Sequence, residues 1–184
     1  IPQNIKESYY YKCPAFAQQI KNTFALYSPF EFDFKFSKEQ NLFDCNNHGL
    51  RTRIVLNPND DAIIQIRYVY LLISEESLQM TQMHPYLHHN SITENGNVLF
   101  GEFDIGSWAR PINCGITLKT PGNGNFELKR SDVWSYIRFN TDKKVNLQRF
   151  TLTPEIVHIV EQCLNLKQSK SKGIFSLKQT YDSF

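Results

Sequence analysis

Hydrophobic and polar residues alternate most clearly in Phe30-Glu31-Phe32-Asp33-Phe34-Lys35-Phe36. Four phenylalanines point one way and three charges the other, which is a half-buried strand of an antiparallel sheet. Thr52–Leu56 reads as a short strand, closed by the turn Asn57-Pro58-Asn59-Asp60. Ala62–Ile73 is a long β-branched and aromatic run, suited to a central strand. Further strands are expected near 78–82 and over Val98–Ile105, Ile112–Lys119, Phe126–Lys129, Val133–Asn140 and Val145–Thr151. Asn95-Gly96 carries the signal of a tight hairpin turn. Residues 37–50 read as polar loop.

Two segments follow the helical period instead. Phe16, Ile20 and Phe24 recur every fourth residue behind Cys13-Pro14, predicting a helix over 14–24. Thr153-Pro154-Glu155 supplies a cap hydroxyl, a first-turn proline and an acid at the positive dipole end. Ile156, Ile159, Val160, Cys163 and Leu164 then form one stripe, predicting a helix over 154–166. Eight to ten strands with a helix near each end predict a mainly β, antiparallel β-sandwich or jelly roll of cupin-like type. One domain over 1–166 and a tail over 167–184 account for the chain.

The 184 residues suit one domain, and 41% hydrophobic against 21% charged residues support a packed core. A net charge of +2 excludes a nucleic-acid-coating field. Cys13, Cys45, Cys114 and Cys163 are too widely spaced for a zinc pair and read as reduced thiols. No stretch approaches a membrane span, and no basic segment leads into an apolar one as a secretory signal would.

Cys13-Pro14-Ala15-Phe16, Lys21-Asn22-Thr23-Phe24 with Ser28-Pro29-Phe30, and Phe103-Asp104-Ile105-Gly106-Ser107-Trp108-Ala109-Arg110-Pro111 resemble blocks of an uncharacterised family of tailed bacteriophages, particularly marine ones. Glu127–Phe139 resembles a later block of that family, with Ser131-Asp132 where Gly-Asp is usual. That later block is also similar to the closing strands of cupin-like barrels. The resemblance covers most of 13–150 and carries no assigned activity. It implies a phage-encoded chain at work in the virion or the host cytoplasm.

His84, His88 and His89 form the strongest chemical constellation, since neighbouring imidazoles can hold a transition metal. Glu102 or Asp104 would have to complete such a site, and the expected H-x-D spacing is absent. Trp108 and Arg110 are residue types that anchor binding surfaces. Tyr9, Tyr10 and Tyr11 at one end, with Phe175, Tyr181 and Phe184 at the other, suit arms that order on a partner. Asp104 and Asp132 beside turns suit capping better than acid–base work. Cys45 and His48 carry no spatial information, and Arg51, Arg53, Arg67, Tyr68 and Tyr70 fit a solvated sheet face better than a nucleic-acid face. The first expectation is therefore a non-enzymatic binding protein, a virion component docking onto other subunits or onto itself, without cofactor. The alternatives are a cupin-like metal-dependent enzyme or small-molecule binder using the His84–His89 loop, and a host-takeover factor binding nucleic acid or a host protein.

Overall fold

The computed structural model describes residues 12–51, 54–56, 62–107, 109 and 111–169. Every strand pair in it is antiparallel. Strand β1 (Thr23–Tyr27) pairs with β11 (Val133–Phe139), and β2 (Phe32–Ser37) with β10 (Asn123–Leu128). Strand β5 (Ile63–Leu71) pairs with β9 (Pro111–Leu118), and β6 (Gln79–Met83) with β8 (Gly101–Asp104). Each pair nests inside the one before it, so the two halves of the chain form one long broken hairpin. The hairpin is rolled up on itself, because β11 also pairs with β6, and β9 with β7 (Gly96–Val98). A rolled hairpin is jelly-roll connectivity. Strand β3 (Leu42–Cys45) extends β2, and β4 (Ile54–Leu56) extends β5. The resulting sheets run β1-β11-β6-β8, β4-β5-β9-β7 and β10-β2-β3.

One apolar core joins all three sheets. Phe32, Phe34 and Phe36 enter it from β2, as their alternation predicts, with Ile64 and Ile66 from β5 and Ile112, Cys114, Ile116 and Leu118 from β9. Trp134, Ile137 and Phe139 close it from β11. Trp134 has no opposite residue, because Leu26 faces Ser135 and Tyr27 faces Val133. This bulge turns Trp134 into the core and leaves Val133 and Tyr136 on the outer face of the sheet.

Several expectations are corrected. The first helix, α1 (Pro14–Ile20), stops short of Phe24. Asn22 takes a left-handed conformation (φ 53°), and Phe24 continues in β1 with its ring 5.8 Å from that of Phe139. The stripe at Phe16, Ile20 and Phe24 thus straddles two elements. The loop expected over 37–50 contains β3 and a short helix, α2 (His48–Arg51). The Asn95-Gly96 hairpin is replaced by α3 (Ser91–Asn95). Asn90 caps it by accepting from the amides of Ile92 and Thr93, while the Thr93 hydroxyl accepts the Asn90 amide. Gly96 is needed for close approach rather than for a turn, since a Cβ there would lie 2.6 Å from Ile116. Val98–Ile105 splits into β7 and β8 as the chain changes sheet at Leu99-Phe100. Residues 145–151 form no strand. The last helix, α4, spans Pro154–Ser169 and runs slightly beyond its expected end.

Candidate functional site

Trp108, Arg110 and Tyr9–Tyr11 lie outside the described residues, as do Arg53, Phe175, Tyr181 and Phe184. The histidine loop is described in full and crosses the outer face of the β1-β11-β6-β8 sheet. Its Leu87 packs with Ala25 on Met83, Val133 and Tyr136. The rings of Tyr86 and His88 stand edge-on to Tyr136 at 5.3 and 5.6 Å. His84 Nδ1 accepts the Val98 amide at 3.1 Å, and His88 Nδ1 lies 2.5 Å from the Tyr136 hydroxyl. Because an amide only donates, the His84 proton sits on Nε2 and its lone pair is already engaged. Among the described residues, His84, His88 and His89 do not gather with each other or with an acid into a metal-holding group. Burial pushes the Tyr136 hydroxyl strongly upward, so it stays protonated.

Glu102 is turned elsewhere and accepts from Asn140 Nδ2 at 2.9 Å. Asp104 fixes the bend behind β8, accepting from the Ser77 hydroxyl at 2.6 Å, the Leu78 amide at 3.1 Å and the Gly106 amide at 3.0 Å. Burial raises its pKa, but these bonds outweigh burial and hold the carboxyl below its ordinary value. Asp132 accepts the Lys129 amide at 2.9 Å across the turn before β11. Both acids therefore cap turns. Cys45 Sγ donates to the Asn47 carbonyl at 3.4 Å, and Arg67 is exposed on its sheet face. Open polar clefts occur beside the Thr120–Asn123 turn and between α1 and the end of β11. None of the three histidines lines them.

The surface that stands out is the segment after β11. Its root is tied down: Asn22 Nδ2 donates to the Thr141 and Lys143 carbonyls at 2.8 Å, and Asn22 Oδ1 accepts the Val145 amide at 3.4 Å. Lys143 pairs with Glu76 at 3.0 Å, and Val145 packs against the core. From residue 146 to residue 155 every side chain is exposed, among them Leu147, Phe150 and Leu152, the last 58% exposed. Helix α4 then begins under a Thr153 cap, whose hydroxyl accepts the Ile156 amide at 3.4 Å. Cys163 is buried, while Ile156, Val160 and Leu164 are half-buried; Val157 and Ile159 are exposed, Ile159 at 48%. The helical period alone reads the Ile156–Leu164 stripe as core-facing. It cannot show that Ile159 faces water or that Leu147, Phe150 and Leu152 belong to no strand.

No described helix is long and apolar enough to cross a membrane. Comparison with protein-family models, curated proteins and solved structures finds no match to this chain.

Proposed function

We propose that this protein works by binding: a β-sandwich body engages another protein subunit through the arm 146–169. The observation that carries this reading is the run of exposed residues 146–155, with Leu147, Phe150 and Leu152, leading into a helix that leaves Val157 and Ile159 in water. Isolated helices of this length are marginal in water, and helices in proteins owe most of their stability to packing. Covering a half-exposed side chain of this size gains about 1 kcal/mol, so five gain about 5 kcal/mol. A single arm is then a weak ligand, and repeated copies in an assembly multiply its effect. The resemblance to a tailed-phage family supports a virion subunit, of this or another chain, as the partner.

Sedimentation velocity of the full chain, and its co-purification with phage particles, test the reading. Self-association or particle binding is expected, and Leu152→Asp with Ile159→Asp should abolish it at an unchanged thermal midpoint. A full chain that stays monomeric and off particles, or an association indifferent to both substitutions, would overturn the proposal.

A further inference from the structure

Residues 84–90 form a strap whose two ends are held differently. At the far end Asn90 Nδ2 donates to the Val133 carbonyl at 2.6 Å, and Asn90 caps α3. At the near end the His84 ring reaches from the end of β6 to the amide of Val98 in β7, which belongs to another sheet. Between them Leu87 covers Met83, Val133 and Tyr136. We propose that this strap is an acid-released latch: protonation of His84 uncouples it from β7 and uncovers Met83, Val133 and Tyr136.

The chemistry follows from the bond. The neutral His84 ring carries its proton on Nε2, so Nδ1 is the atom that takes the second proton. Once it does, two N–H donors face each other across 3.1 Å and the bond is lost. His88 is not the trigger, because the Tyr136 hydroxyl it meets can donate to the neutral ring or accept from the protonated one, so that contact survives protonation. Among the described residues, Lys119 faces His84 from beyond β9, and His89 adjoins His88. Arg138 acts on Tyr86 beside the same cluster. No carboxylate contributes to the electrostatics of either ring, so nothing described there favours the imidazolium. Burial first, then the Lys119 charge, hold His84 below the ordinary value of 6.5; burial and His89 do the same to His88. The opened strap binds protons at the ordinary value and the closed strap does not. The contribution of the latch is therefore complete above about pH 6.5 and is lost as pH falls through and below it.

Amide hydrogen exchange on the full chain at about pH 7.5 and about pH 5, corrected for intrinsic rates, tests the latch. Protection of residues 84–90 should fall by up to about tenfold for each unit that pH drops below the ordinary value of 6.5, levelling off once the closed ring itself takes the proton, while 112–118 in β9 keeps its protection. His84→Asn places an amide oxygen where Nδ1 lies, accepts the same bond and does not titrate, so its strap should stay protected at low pH. Unchanged protection in the natural chain, or a His84→Asn strap that opens alike, would overturn the latch. Nitrogen NMR of the unsubstituted chain gives a check that needs no variant. It should find the Nε2–H tautomer and a titration below 6.5, and a titration at or above 6.5 would equally overturn the latch.

Discussion

Phe34→Ala should remove a large part of the stability of this protein. The side chain is 1% exposed, and its ring lies 5.5 Å from Phe36, 5.3 Å from Phe43 and 6.2 Å from Phe126. Truncating a buried phenylalanine to alanine costs about 3–5 kcal/mol. The loss of three ring pairs, each worth about 0.5–1.5 kcal/mol beyond area, puts this site at the upper end. Against a typical total of about 5–15 kcal/mol, that is a third of the stability or more. Phe100→Ala is the control, since Phe100 is 74% exposed and should change stability by less than about 0.5 kcal/mol. Urea unfolding followed by tryptophan fluorescence and by far-ultraviolet circular dichroism reads both variants. Phe34 lies in the β10-β2-β3 sheet and Trp134 in the β1-β11-β6-β8 sheet, yet both belong to one core. The two probes should therefore move together to lower urea. A loss below about 1 kcal/mol, or a tryptophan transition that stays put while dichroism shifts, would refute the single shared core.

Gly124→Ala should destabilise by about 1–3 kcal/mol in the same titration, because its Cβ would collide with the Phe36 ring and lie 2.9 Å from Phe126 inside that core. Thiol alkylation read by mass spectrometry should label Cys13 quickly and leave Cys45, Cys114 and Cys163 until unfolding. Cys13 alone of the four is exposed, and burial pushes the Cys114 thiol up to about 12.

The fold is legible where one face of a strand is apolar and the other charged. Phe32, Phe34 and Phe36 declare their strand because Asp33 and Lys35 stand between them. The run Ile63–Leu71 declares its strand by composition, although a bulge between Ile66 and Tyr70 breaks its pairing to β9. The sequence is silent where tertiary contacts decide. Thr23–Tyr27 has no pattern of its own and is a strand because β11 offers an edge to it. Asn95-Gly96 carries a hairpin signal, but Asn90 upstream of it caps a helix that runs through Asn95 and takes up the turn. Leu42–Cys45 is too short, inside a polar stretch, to announce itself, and it pairs because β2 is already anchored by phenylalanines. The histidines of the strap are legible as a cluster, but their roles are not. Residue type says that imidazoles can bind metal; only the fold shows that Val98 occupies one ring and Tyr136 meets another.

The bulge at Trp134 leads to a prediction of the opposite sign, a substitution that stabilises. Ser135 follows the bulge and shares its face of β11 with Ile137 and Phe139, both in the core. It is 0% exposed, and its hydroxyl has no hydrogen-bond partner among the described residues. A buried unsatisfied polar group costs about 1–3 kcal/mol. Ser135→Ala removes that cost and leaves a void smaller than a methyl group, which returns less than about 1 kcal/mol. The net gain is about 1 kcal/mol, and for a chain of this size that raises the thermal midpoint by about 2–4 °C. Differential scanning calorimetry measures it directly. A lower midpoint would mean that the hydroxyl is bonded in solution and that this bond outweighs the cost of burying it.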